Sequence, residues 1–255
     1  MAWMLSKGWN SVGVIDEIVD WLRTYAAAAG SRGYVVGLSG GVDSACTAAL
    51  CQRAMGDHVL AALLPCHSGA SDAELAHLVA DAFGLQTVTV ELGPAYDYML
   101  AALPSEPSGL AAANIKPRLR MAALYALAQM RNYLVAGTGN KSEIMIGYYT
   151  KYGDGGVDVE PLGDLYKWQV RQLARDLGVP QAVIDRSPSA GLWAGQTDEG
   201  EMGLTYTELD AALVAIETGE PVGVAPQVLI KVQEMIAGSA HKRATPPICP
   251  VAWTF

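Results

Sequence analysis

Six consecutive residues, Ser39-Gly40-Gly41-Val42-Asp43-Ser44, bring two glycines, two hydroxyls and a carboxylate together between a short apolar run and an Ala-rich one. Glycines let a backbone approach an anion closely, hydroxyls donate hydrogen bonds, and a helix start offers unpaired N–H groups with a favourable dipole. That is the chemistry of a phosphate cradle built from Ser39, Gly40, Gly41, Val42, Asp43 and Ser44. A Walker loop would add a Lys that reaches the β and γ phosphates, and this stretch has none. A carboxylate beside phosphates repels them unless a divalent cation lies between, so Asp43 predicts Mg²⁺. The plain alternative is a ligand-free Ser/Gly turn.

A second stretch, Gly137-Thr138-Gly139 with Glu143 four positions on, follows another apolar run. Its side-chain-free backbone can receive a nucleotide, and Glu143 is close enough to share a metal with Asp43. On its own, G-x-G-x-x-S is a weak dinucleotide fingerprint without its third glycine, and it does not indicate a dehydrogenase. The cations are unevenly spread. The chain has 17 Lys and Arg against 26 Asp and Glu, a net charge of −9. Such a balance argues against nucleic acid as the main partner. No Lys or Arg occurs between Arg53 and Lys116, yet nine fall from Lys116 through Arg175. Concentrated cations in an acidic chain suit small anionic ligands, with a solvated helix surface as the bland alternative.

The elements that must hold these residues alternate. Tyr34 to Leu38, Val59 to Leu64, Gln86 to Val90 and Leu134 to Ala136 read as strands. Val42 to Met55, Asp72 to Phe83, Ile115 to Arg131, Lys167 to Leu177 and Tyr206 to Glu217 read as helices. Pro117 is tolerable only in the first turn of its helix. Short apolar runs alternating with helices predict an α/β fold, a doubly wound parallel sheet flanked by helices, with ligands beyond the carboxyl ends of the strands. At 255 residues, half of them hydrophobic, one domain with small appendages is expected. Its parts are an N-terminal helix region over 1–30, a nucleotide-binding core over 33–190, and a loop and helical tail over 191–255. No apolar run is long enough to span a membrane, and Asp16, Glu17 and Asp20 interrupt any signal-peptide pattern. Cys46, Cys51, Cys66 and Cys249 lack metal-site spacing and read as reduced thiols, with Cys66-His67 read as packing and not as a nucleophile.

The Ser39–Ser44 pattern resembles the PP-loop of the ATP pyrophosphatase superfamily. Members of that superfamily cleave ATP between the α and β phosphates and hold the leaving pyrophosphate in this loop. Downstream, Asn114 to Met121, Gly137 to Glu143, Thr150 to Asp158, Pro161 to Lys167, Ser187 to Trp193, Gly195 to Glu199 and His241-Lys242-Arg243 resemble the NAD synthetase family, in the family's order. The resemblance implies a Rossmann-like fold of the adenine nucleotide alpha hydrolase type. It also implies an ammonia-dependent ligase that makes NAD from deamido-NAD through an acyl-adenylate, with Mg²⁺ as cofactor and ATP as co-substrate. Asp43 and Lys167 would then be catalytic, Thr138, Lys167 and Ser189 would bind ATP with the loop, and Asp43 and Glu143 would hold the metal. Arg120, Lys151, Asp154, Asp158, His241 and Lys242 would contact deamido-NAD. Tyr148, Tyr149 and Tyr152 would stack on a ring or simply form an aromatic cluster.

The resemblance further implies a cytoplasmic homodimer whose partners are ATP, deamido-NAD and ammonia, with no nucleic acid and no membrane. About thirty residues precede the first strand, so free ammonia or a separate glutaminase subunit is expected to supply nitrogen. Pro117 stands where the family commonly has Ala, which bears on the helix start and on Arg120. Trp193 to Gly203 is expected to be a lid that shields the adenylate from water. The rival readings are another PP-loop amide ligase of the GMP-synthetase kind and a non-catalytic ATP-binding module. The first would want a different carboxyl-terminal region, and the second an eroded loop.

Overall fold

The computed structural model describes residues 9–251 apart from 194, 221 and 222. Strands β1 (Tyr34–Gly37), β2 (Val59–Leu63), β3 (Gln86–Thr89) and β4 (Leu134–Ala136) form one parallel sheet in the order β3-β2-β1-β4. Val36 lies level with both Ala61 and Ala136. The apolar, β-branched run Tyr34-Val35-Val36 takes the middle because strands covered on both faces must be apolar on both. All three side chains are fully buried. An isolated bridge from Ala136 to Val159 extends the sheet beyond β4.

The chain steps outward from β1 to β2 to β3 and then returns to place β4 on the other side of β1. Strand order therefore reverses between β1 and β4, where open α/β sheets form their ligand crevice. Ser39–Ser44 leaves β1 there, and Gly137–Gly139 leaves β4 beside it.

One face of the sheet is covered by α1 (Ser11–Ala28), α2 (Val42–Met55), α3 (Ala70–Phe83) and α8 (Lys167–Leu177). Helix α2 is almost wholly buried, and its alanines let α1 and α8 approach it. The other face packs against α4 (Gly93–Ala102) and α6 (Ile115–Arg131), which α5 (Gly109–Ala113) precedes. A separate apolar cluster joins α7 (Lys141–Ile146), α10 (Asp198–Met202), α11 (Tyr206–Thr218) and α12 (Pro226–Gly238), while α9 (Gln181–Ile184) sits against α8.

The expected strands and helices are present within a residue or two. Six helices go beyond those read individually from the sequence: α4, α5, α7, α9, α10 and, within the expected helical tail, α12. Helix α7 opens on a capping box in which the Asn140 side chain takes the Glu143 N–H and Glu143 reaches back, a pattern readable as N-x-x-E. Helices α4 and α12 carry Pro94 and Pro226 in their first turns, and α10 turns a stretch read as loop into a short helix. Pro117 falls at the third position of α6 and is accommodated there. Among the described residues, no helix is long and apolar enough to cross a membrane.

Candidate active site

Helix α2 starts at Val42 with Gly41 as its cap and no side chain satisfying its first N–H groups, which leaves those donors for a ligand. The loop is locked from within. Ser44 Oγ donates to the Gly41 carbonyl (2.9 Å) and lies 3.0 Å from Ser39 Oγ. Gly40 has φ +76°, and a Cβ there would stand 2.8 Å from the Asp72 carbonyl, so both backbone conformation and space demand glycine. Arg186, ion-paired with Asp72, also donates to the Ser39 carbonyl (3.3 Å) and ties α3 to the loop.

Below the loop lies a buried ionic cluster. The Lys167 ammonium, 1 % exposed, donates to Asp43 Oδ2 (2.6 Å) and Glu143 Oε1 (2.9 Å). Asn140 Nδ2 donates to the other Asp43 oxygen (2.9 Å). Burial works against the Lys167 charge, but Asp43 and Glu143 outweigh it and hold its pKa above the ordinary lysine value. Burial pushes the Glu143 carboxyl up, with Asp43 adding to the rise and Lys167 opposing it. Lys167 is placed by its backbone. Its N–H donates to Ser142 Oγ (2.9 Å), that hydroxyl bonds Asp210 Oδ1, and Asp210 Oδ2 receives the Trp168 N–H (3.0 Å). Burial raises the Asp210 carboxyl to about 6.

A cavity of about 790 Å³ opens over this cluster and runs across the sheet edge. Its lining includes Ser39, Asp43, Thr138, Glu143, Lys167 and Ser189. Arg120, Lys151, Asp154, His241 and Lys242 line the same cavity, as do Tyr148 and Tyr149. The cations of this second set rest on neutral oxygens. Arg120 donates to the Leu64 carbonyl (3.1 Å) and Ser68 Oγ (3.3 Å), and Lys151 to the His241 carbonyl (2.6 Å). Lys242 donates to the carbonyls of Gly147 (2.6 Å) and Tyr149 (2.7 Å). Among the described residues none of these three is ion-paired with a carboxylate. Asp154 accepts the Thr150 N–H (3.0 Å), and burial raises its carboxyl.

Two expected residues sit elsewhere. Asp158 is outside the cavity lining, where it accepts the Val135 N–H (2.8 Å) and the Tyr125 hydroxyl (3.1 Å) at the β4 edge. Tyr152 is 55 % exposed and points its ring at Lys151, so only Tyr148 and Tyr149 face the cavity. Cys66 is buried, its Sγ 3.8 Å from the Leu92 carbonyl, and burial raises its thiol, as a packing residue's would be. Sequence reasoning missed Asn140, Tyr206, Asp210 and Glu160. Glu160 accepts the Gly139 N–H (3.0 Å), and a Cβ on Gly137 would stand 2.4 Å from its carboxylate. Of these, only Asn140 left a sequence signal, its capping box.

Asp43 and Glu143 offer hard oxygen donors on one buried ammonium, a set suited to Mg²⁺, which takes one or two carboxylates and completes its shell with phosphate oxygens and water. Among the described residues no cluster of three or more His, Cys, Asp or Glu could hold a metal alone.

Loop, buried lysine and switch-point cavity define an α/β enzyme of the PP-loop class, which breaks ATP to activate a carboxylate. The family model for NAD synthase matches residues 14–246. An NH(3)-dependent NAD(+) synthetase of Carboxydothermus hydrogenoformans is 46 % identical over 91 % of this chain and 95 % of its own. Among solved structures, an NMN synthetase of Francisella tularensis superposes with a TM-score of 0.89 at 36 % identity, covering 95 % of this chain and 100 % of that one. The NH3-dependent NAD synthetase of Campylobacter jejuni, solved with nitrate, gives 0.83 at 28 % identity, with the same coverage of both chains. This chain belongs to the NAD synthase family.

Proposed function

We propose that the protein joins ammonia to the nicotinate carboxyl of deamido-NAD, consuming ATP and releasing NAD, AMP and pyrophosphate. One observation carries the reading. A single cavity is lined both by the phosphate loop with its buried Lys167 and by cations without carboxylate partners, which would let a substrate carboxylate meet the α-phosphorus of ATP.

The chemistry follows from that placement. A carboxylate oxygen attacks the α-phosphorus as the bond to pyrophosphate breaks, and the pyrophosphate charge falls against the free N–H groups at the start of α2 and against Lys167. Ammonia then adds to the activated acyl carbon, the acyl–phosphate bond breaks with AMP as leaving group, and a proton is lost to solvent. Orientation and charge stabilisation do this work without a protein nucleophile. Asp43 and Glu143 would hold Mg²⁺, which when bound offsets phosphate charge. Thr138 and Ser189 would contact ATP. Arg120, Lys151, His241 and Lys242 would take the phosphates and carboxylate of the second substrate, with Asp154 beside them.

The similarity to an NMN synthetase favours a second reading of the same chemistry, with nicotinate mononucleotide as the acceptor. Incubation with ATP, Mg²⁺, ammonium and either acceptor decides between them. NAD with AMP and pyrophosphate from deamido-NAD supports the first. Preferential NMN formation favours the second, and ADP, or no turnover of either, removes both.

We also place the protein in the cytoplasm, as a homodimer of one catalytic domain per chain fed by free ammonia or a glutaminase subunit. Exposed Tyr98 and Met99 on α4 and Leu110 on α5 supply apolar surface for such an interface. Light scattering should give twice the 26.9 kDa chain mass.

A further inference from the structure

Most of the stretch from Leu192 to Met202 falls in the segment expected as a lid, Trp193 to Gly203, and within it Gln196 and Asp198 are only 7 % and 5 % exposed. Buried polar groups require partners, and here the partners form one continuous chain. The Tyr206 hydroxyl lies 2.9 Å from Glu143 Oε1 and 2.9 Å from Asp198 Oδ2. The Tyr148 hydroxyl lies 3.2 Å from Asp198 Oδ1 and 2.8 Å from Glu201 Oε2. Gln196 Nε2 donates to that Glu201 oxygen (2.8 Å), and Gln196 Oε1 accepts the Leu192 N–H (2.8 Å). Lys116 Nζ holds the Leu192 carbonyl at 2.8 Å.

A phenol has one proton to donate, and each of these two has carboxylates on both sides. Asp198 offers a separate oxygen to each, so three patterns serve it: Tyr206 to Glu143 with Tyr148 to Asp198, Tyr206 to Asp198 with Tyr148 to Glu201, or both to Asp198. Any group that takes over Glu143 Oε1 turns the Tyr206 proton toward Asp198, which lessens the claim of Asp198 on Tyr148 and frees that hydroxyl for Glu201. Both ends of the chain therefore bias the pattern. Leu192, Gln196, Asp198 and Glu201 all line the reaction cavity, so what the chain fixes is part of the cavity wall.

We propose that Tyr206 and Tyr148 are positioning residues: their hydroxyls couple the Leu192–Met202 wall to Glu143 at the phosphate end and keep water from the acyl-adenylate. The water-exclusion clause rests on the adenylate mechanism above, while the coupling itself does not.

Tyr206→Phe and Tyr148→Phe each remove one hydroxyl and keep the ring, which for Tyr206 lies 4.7 Å from the Lys167 ammonium. Trp193, 46 % exposed, gives chymotrypsin a site beside the relay. Without any substrate, cleavage after Trp193 should quicken several-fold in both variants. During turnover at limiting ammonium, AMP formed per NAD formed should rise roughly twofold or more as water intercepts the intermediate. The double variant should be no worse than either single one, because one broken link already opens the chain. Leu22→Ala, fully buried in the cluster on the sheet face and outside the one that holds Tyr206, controls for general loosening and should leave the AMP-to-NAD ratio at parent level. Unchanged cleavage and ratio in the Phe variants, independent effects that multiply in the double variant, or an equal rise in Leu22→Ala would each overturn the proposal. If the parent made no NAD, the function would fall while the cleavage test still judged the relay.

Discussion

The two ends of the cavity hold their cations by opposite means. At the phosphate end Lys167 is sealed between Asp43 and Glu143, so one positive charge faces two carboxylates. At the substrate end Arg120, Lys151 and Lys242 lie on carbonyls and a hydroxyl, which orient a cation without cancelling it. On the proposed assignment, the first group holds more carboxylates than cations and would receive a polyphosphate together with an added cation, while the second holds more cations than carboxylates and would receive an anion directly.

Replacing Lys167 should break the comparison most visibly. On the proposed mechanism Lys167→Met removes a protein charge beside the departing pyrophosphate, and kcat should fall on the order of a thousandfold, the scale of losing a preorganised electrostatic contact. It also leaves Asp43 and Glu143 buried without their partner, so stability at pH 7 should drop by about 3 kcal/mol or more. That loss should shrink toward pH 5 as the orphaned Glu143 carboxyl, raised by burial, takes up a proton. Steady-state kinetics and urea titration at both pH values check this. A variant with intact kcat and a raised KM for the pyridine substrate would place Lys167 on the wrong end and dissolve the contrast.

Lys151→Gln probes the opposite end and should move the other constant. Losing one charged contact to an anionic substrate weakens binding by about 2 kcal/mol, roughly thirtyfold in KM, with kcat and the KM for ATP little changed. Raising ionic strength should narrow the gap between parent and variant, because the contact is solvent-facing and screened. A selective fall in kcat would instead make Lys151 part of the phosphate machinery.

How legible each end was follows from the same contrast. The phosphate end is local. Its loop is contiguous, and a Ser/Gly run between apolar strand and Ala-rich helix can be read because strand, turn and helix each leave their own periodicity. Glu143 and Lys167 were reachable by resemblance, but their meeting on one ammonium depends on β4 returning beside β1, which no spacing encodes. Asn140, Tyr206 and Asp210 act through partners 97, 63 and 68 positions away. Nothing in their own neighbourhoods marks them as polar core. The helix α12 pattern Val228, Val232, Met235, Ile236 was present in the sequence, and the surrounding polar residues obscured it. Asp158 and Tyr152 show the converse. A motif carried both toward the substrate, and the fold gave one to the sheet edge and the other to solvent.

Glu160 sharpens the comparison at the seam between the two ends. Burial raises its carboxyl to about 8, against the bond from Gly139 N–H and with help from Glu143 and Asp154. The folded chain then keeps a proton that the unfolded chain gives up near its ordinary value, so between about pH 4.5 and 8 the native state binds more protons and stability falls as pH rises. Glu160→Gln keeps the acceptor for Gly139 without the charge. The variant should match the parent near pH 4 and exceed it by something on the order of 2 kcal/mol at pH 8. Parallel stability curves would mean that Glu160 is ionised throughout.

The smallest effect is expected at Asp158, and it tests whether the residue belongs to the substrate end at all. Its two oxygens serve the Val135 N–H and the Tyr125 hydroxyl, while its own N–H donates to the Val135 carbonyl (3.0 Å), just before Val159 bridges to Ala136. Those bonds make it the residue that pins the next segment to β4. Asn keeps one acceptor oxygen and turns the other into a donor, so Asp158→Asn should lose one bond, about 1 kcal/mol of stability, with KM for the pyridine substrate unmoved. A raised KM at unchanged stability would show that the ligand draws this carboxylate away from the sheet. The cavity would then gain a further carboxylate acceptor for a ribose hydroxyl beside Asp154.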